Sequence, residues 1–228
     1  NVAIGYEALS TEDTGSRNVA IGEGSLTLLN YDGAAYNVAI GYDSGHAMTT
    51  GTENTIIGGL AGDALTTGSQ NIAIGYAALG SEDTGSRNIA IGRGALGALN
   101  NDANSYNIGI GHSAGAAVTT GIRNVLIGGL AGDALTTGGN NIAIGYEALT
   151  TEDGDGRNIA IGTNSLQNLN AGSDAYNVAV GFASGAAMTT GINNTLIGGQ
   201  AGDALTTGGS NVAVGYLALS TEDAHGRN

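Results

Sequence analysis

The chain has 228 residues, 42 of them glycine, with no proline, cysteine, tryptophan or lysine and a single phenylalanine. A formal charge of −14, from 20 acidic residues against 6 arginines, repels nucleic-acid phosphates and anionic lipid heads. The absence of cysteine excludes a disulfide framework, and no apolar run reaches the ~20 residues that a membrane-spanning helix needs.

The apolar residues are mostly Ala, Val, Ile and Leu used in register, so internal periodicity is the first thing to seek. The anchor N-[VIT]-x-[IV]-G begins at Asn1, Asn18, Asn37, Asn54, Asn71, Asn88, Asn107, Asn124, Asn141, Asn158, Asn177, Asn194 and Asn211, and Asn228 would open another copy. Spacings of 17, 19, 17 and 17 repeat, which makes a 70-residue unit: 1–70, 71–140, 141–210, then a partial coil 211–228. The chain therefore reads as a single repeat array. Both ends fall in register with no atypical capping segment, so it also reads as an excerpt of a longer fibre.

In each coil the second position is Val, Ile or Thr and the fourth is Ile or Val, the β-branched residues that suit a strand. Gly follows at the fifth position in all 13 coils, where a bend would be obstructed by a Cβ. The eighth position is Ala or Ser, fit for a narrow interior. Some coils then carry Leu at the ninth position (Leu9, Leu26, Leu79). Others carry Gly there and an apolar residue three places later (Gly45 with Met48, Gly62 with Leu65), as if one inward slot were filled by two routes. Thr50-Gly51 and Thr67-Gly68 turn the chain back. This predicts an all-β parallel β-solenoid of 13 coils, with two short strands and two turns per coil and no helix. The two extra residues of the longer coils are expected to bulge near Asp32-Gly33, Asp102-Ala103 and Gly172-Ser173. The asparagines are expected to stack in a hydrogen-bonded ladder.

The third position is Ala nine times, Gly once and Ile or Leu three times (Ile56, Leu126, Leu196). The strand is thus apolar on both faces, the pattern of a strand covered on both sides. A single roll has one interior, so one face needs a partner, and a repetitive fibre offers a second copy of itself. Ala3, Ala20, Ala39 and Ala73 would form one packed face, and Val2, Ile4, Val19 and Ile21 the other. The pattern does not say which is the interior.

The motif N-[VI]-A-[IV]-G followed by a small residue, as in Asn1-Val2-Ala3-Ile4-Gly5 with Ala8 and Asn71-Ile72-Ala73-Ile74-Gly75 with Ala78, resembles the head repeats of YadA-like trimeric autotransporter adhesins and related phage tail-fibre repeats. The resemblance runs coil by coil over the whole chain. It implies a left-handed β-roll, a homotrimer about a common axis, and a role in attachment at a cell surface or on a virion. The coils here are longer than that family's usual repeat, and its neck and membrane anchor are absent from this chain.

Candidate sites are few. The acidic turns Thr11-Glu12-Asp13, Ser81-Glu82-Asp83, Thr151-Glu152-Asp153 and Thr221-Glu222-Asp223 recur every fourth coil, too far apart to share a cation. They read as solvated turns, in which substitutions cost within about 0.5 kcal/mol. Arg17, Arg87, Arg157 and Arg227 close the same coils and suit local carboxylate contacts; a role in binding a sugar acid is the alternative. Tyr6, Tyr42, Tyr76, Tyr146 and Tyr216 share the sixth position, and Tyr36, Tyr106 and Tyr176 close the 19-residue coils. Such rows pack over a bend or stack on sugars. His46, His112 and His225 sit at non-equivalent places with no nucleophile near them, so no catalytic, metal or cofactor residue is assigned.

The expectation is a non-enzymatic structural and adhesive fibre segment, extracellular and self-associating, with a host-surface glycan or matrix ligand as possible partner. A phage receptor-binding shaft is the alternative. An ice-binding solenoid is a lesser one, because Thr49-Thr50, Thr66-Thr67 and Thr119-Thr120 occur in only two coils of four. A hexapeptide-repeat acyltransferase needs three hexads per coil and fails on the 17/19 rhythm.

Overall fold

The computed structural model describes residues 1–154, 156–221, 223–224 and 226–227. Asp155, Glu222, His225 and Asn228 lie outside the described residues, and with them the expectations placed on the last three. The chain is a parallel β-solenoid, and it divides into two compact units, Asn1–Ser113 and Ala114–Asn228.

The first unit carries β1 (Val2–Ile4), β2 (Val19–Ile21), β3 (Val38–Ile40), β4 (Thr55–Ile57), β5 (Ile72–Ile74), β6 (Ile89–Ile91) and β7 (Ile108–Ile110). The second carries β8 (Val125–Ile127), β9 (Ile142–Ile144), β10 (Ile159–Ile161), β11 (Val178–Val180), β12 (Thr195–Ile197) and β13 (Val212–Val214). Within each unit consecutive strands pair in parallel and without slip: Val2 lies opposite Val19, Thr55 opposite Ile72, and Ile142 opposite Ile159. Each strand starts one residue after its asparagine, as the spacing predicts.

Three-residue strands this short are held by what surrounds them. The asparagine does part of that. The backbone N–H of Asn54 donates to the Asn37 side-chain oxygen at 2.9 Å, and that of Asn71 donates to Asn54 at 2.9 Å. The side-chain amide donates inside its own coil, Asn54 to the Gly68 carbonyl and Asn71 to the Gly85 carbonyl, each at 2.9 Å. One amide therefore ties a coil to its neighbour and closes its own last turn. Asn124, Asn141, Asn158, Asn177 and Asn194 repeat the link to the following coil in the second unit. All are buried, where an unmet amide is costly. The ladder is real, but most of its links run from side chain to backbone.

The glycine column has a plain steric cause. Gly75 sits at φ +129°, and a Cβ there would lie 2.6 Å from the carbonyl oxygen of Gly92 in the next coil. The bend and the close coil stacking both require the missing side chain.

The second side of each coil is not a strand, which corrects the expectation of two per coil. Positions seven and nine take left-handed backbone angles, as at Glu7 (φ 56°) and Leu9 (φ 53°) or Ala77 (φ 52°) and Leu79 (φ 53°). A residue in that region cannot continue an extended chain. The segment still bonds from coil to coil: Ala77 N–H donates to Gly59 at 3.1 Å in one direction, and Leu79 N–H donates to Ala95 at 3.0 Å in the other. It is a ladder of turns.

The strand alternation resolves which face points inward. The third position is buried from β2 to β12 and flanked by partly exposed second and fourth positions. Ala20, Ala39, Ile56, Ala73 and Leu126 are fully buried. The Val and Ile columns at positions two and four face outward.

Inside, positions nine and twelve prove to be separate slots, since Leu26 and Leu29 of one coil are both fully buried, as are Leu96 and Leu99. Where position nine is glycine, large residues of the same or of neighbouring coils fill its place. A Cβ on Gly45 would fall 3.0 Å from Leu26 and 3.1 Å from Ile56, one in the coil before and one in the coil after. Gly185 is filled likewise by Leu166 and Leu196, each at 2.9 Å. The large third-position residues thus compensate for the glycines, as close packing demands. The extra residues of the 19-residue coils form the expected surface bends: Gly33 N–H donates to Tyr31 at 2.7 Å and Ala103 N–H to Asn101 at 2.7 Å. Gly172 has open space about it.

Candidate functional site

The acidic turns are not simply solvated. Glu12, Glu82 and Glu152 occupy position twelve, the column filled in other coils by Leu29, Met48, Leu65 and Leu99. Glu82 and Glu152 are fully buried. Two oxygens of Glu82 face two backbone donors, Gly85 N–H at 2.8 Å in its own turn and Asn101 N–H at 3.3 Å in the next coil. Glu12 repeats this with Gly15 at 2.6 Å and Tyr31 at 3.3 Å, but is less buried. Burial pushes the Glu82 carboxyl up to about 7, opposed by the donors from Gly85 and Asn101 and aided by the neighbouring Asp83 charge. The reading of these turns as solvated missed this, although counting along the position-twelve column would have found it. The outer members behave as expected, with Asp13 and Asp153 exposed.

Among the described residues, Arg17, Arg87 and Arg157 do not pair with those acidic residues either. These three each reach the tyrosine that closes the following 19-residue coil. Arg17 contacts the Tyr36 hydroxyl, Arg87 donates to Tyr106 at 2.9 Å, and Arg157 donates to Tyr176 at 2.8 Å. Their guanidinium carbons lie 5.1 to 5.6 Å from the ring centroids, within cation–π range. Arg157 also pairs with Asp174, and Arg87 donates to Gln70 at 2.9 Å. These contacts lie on the surface.

The sixth-position tyrosines are separate from that row. Tyr6, Tyr42, Tyr76, Tyr146 and Tyr216 are all more than half exposed, and Phe182 shares their position and exposure. Donating a hydrogen bond to the adjacent carboxylate of Glu7, Asp43 or Glu147 raises the hydroxyl pKa of Tyr6, Tyr42 and Tyr146. The remaining expectations gather into no site. His46 contacts Asp43 and the Gly24 carbonyl, while His112 stands exposed in another coil. The Thr49 and Thr66 hydroxyls donate to the carbonyls of Thr66 and Asp83 in following coils, so they serve the ladder of turns. Among the described residues no group of three or more His, Cys, Asp or Glu is placed to hold a metal ion, and no helix is long and apolar enough to cross a membrane.

Compared with known protein families, with curated proteins and with solved structures, the chain matches none.

Proposed function

We propose that this chain is a segment of a non-catalytic extracellular fibre, structural and adhesive, assembled from several copies of itself. The observation that carries the proposal is the outward-facing column of Val and Ile at positions two and four. With the third position filling the interior, these residues have no partner within the coil. Val19, Ile21, Val38, Ile40, Ile72 and Ile74 are each only partly covered. Repeated in every coil, the column approaches the few hundred Å² of contiguous apolar surface that monomers rarely leave open. A second copy carries the same column at the same coil spacing and so matches it residue for residue. The number of copies, three, comes from the resemblance to trimeric adhesin heads. The negative charge suits an assembly that must stay soluble and avoid unplanned contacts.

Light scattering or native mass spectrometry on the full chain tests this. The expected mass is three times that of the chain. A stable monomer at micromolar concentration sinks the self-association, and a stable dimer sinks the analogy that supplies the number.

A further inference from the structure

We propose that the sixth-position aromatic row is a binding track for an extended β-1,4-linked polysaccharide. Three aromatics stand in each unit: Tyr6, Tyr42 and Tyr76 in the first, Tyr146, Phe182 and Tyr216 in the second. Within a unit they fall on every second coil, and all are more than half exposed. In-register parallel strands stack at ~4.8 Å, so the rings recur about every 10 Å. That is close to one disaccharide of an extended β-1,4 chain. In such a chain each sugar is flipped relative to the last, and the same apolar face recurs at every second residue. A platform on every second coil meets that face each time.

The surroundings fit a sugar better than a flat apolar partner. The coil before Tyr76, Tyr146 and Tyr216 has glycine at this position. A Cβ on Gly59, Gly129 or Gly199 would make only ordinary contact with the following ring, 3.4 to 3.8 Å away, and with glycine there only backbone stands beside the ring. Polar groups flank the rings, Glu7 next to Tyr6, Asp43 next to Tyr42 and Glu147 next to Tyr146, while the Arg93 guanidinium lies over the Tyr76 ring, 5.7 Å from its centroid. A ring for the C–H face of a pyranose and charged groups for its hydroxyls are the two halves of carbohydrate recognition. An aromatic side chain adds large contact area at little entropic cost. Phe182 indicates that the ring, rather than the hydroxyl, is the required part. The track names a ligand for the adhesive half of the reading above and does not depend on the number of copies.

Affinity electrophoresis of the full chain in gels containing hydroxyethylcellulose or glycol chitin tests it, with dextran as the α-linked control. Retardation by a β-1,4 polymer and not by dextran is expected. A Tyr42→Ala, Tyr76→Ala, Tyr146→Ala, Phe182→Ala variant should bind about tenfold or more weakly, as loss of several stacking contacts requires. Tyr→Phe changes at the three tyrosines should keep binding, and circular dichroism melts should confirm that each variant folds. Absence of retardation by either β-1,4 polymer, equal retardation by dextran, or unchanged retardation of the alanine variant overturns the proposal. So does dissociation of the native assembly by the alanine changes in light scattering, which makes the row a self-association face. A chain that is monomeric yet still retarded would sink the fibre reading and leave the track standing.

Discussion

The buried carboxylate of Glu82 accepts the backbone N–H of Gly85 at 2.8 Å, and a Cβ on that glycine would lie 2.5 Å from the same carboxyl group. The turn is built around an acidic side chain in a column otherwise filled by leucine and methionine. Because burial raises the Glu82 pKa from 4.5 to about 7, the folded state holds a proton that the unfolded chain releases between those values. Stability from this group is fully present below about pH 4.5 and is lost as pH rises through about 7. Melts of the full chain should therefore show falling stability across that window, by on the order of 2 kcal/mol. Glu82→Gln, which keeps an acceptor for Gly85 without the charge, should flatten that fall relative to the parent. A parallel slope in both proteins would remove Glu82 as the cause.

The same geometry revises the cost of losing the side chain. Glu82→Ala leaves the Gly85 and Asn101 N–H groups without their acceptor and opens a void, so it should cost about 1–3 kcal/mol, well above an ordinary turn substitution. Gly75→Val should be worse, about 3 kcal/mol or more, since it meets both a φ of +129° and the Gly92 carbonyl. Chemical denaturation of the two variants ranks them. The reverse order would show that the bend tolerates a side chain.

Adjacent residues on one strand should fail in different ways. Ala73 is fully buried and Ile74 is partly exposed. Ala73→Glu places an unpaired charge in the interior and should prevent folding. Ile74→Glu should leave the coil spectrum intact and lower the assembled mass. Circular dichroism read beside light scattering separates the two, and an Ile74→Glu protein of unchanged mass would count against the outward column as the contact.

Interior volume should be exchangeable between positions three and nine. Ile56→Ala is expected to cost about 2–4 kcal/mol, and Gly62→Leu alone should also destabilise, because a Cβ there already lies 2.9 Å from Leu65. Together they give the Asn54 coil the Ala-and-Leu pattern that the Asn88 coil has naturally in Ala90 and Leu96. The double variant should be more stable than the two losses summed, with incomplete recovery because Ile56 also fills the space beside Gly45. Strict additivity in urea melts would argue against the compensation.

The regular features were legible because each repeats 13 times and has one physical cause. The asparagine ladder, the glycine bend and the small eighth position all belong to this class. The inward face of the strand was not, because Ala, Val and Ile are apolar on both sides and alternation carries no direction without a polar face. The second strand was over-read because Leu79 and Ala77 are ordinary residues by composition, and nothing in their identity announces a left-handed backbone. Glu82 was hidden by its neighbours: between Ser81 and Asp83 it looks like part of a solvated turn, and only its place in the column betrays it.

The filling of Gly45 by residues from the coils on either side also bears on how such a gene can change length. Unequal recombination that removed the Asn54 coil would set Gly45 against Ala73 of the next coil in place of Ile56 and leave its space unfilled. Exchange by whole multiples of four coils restores every neighbour. The 70-residue period is thus a step by which the coding sequence can grow or shrink while every coil keeps the kind of neighbour it has now.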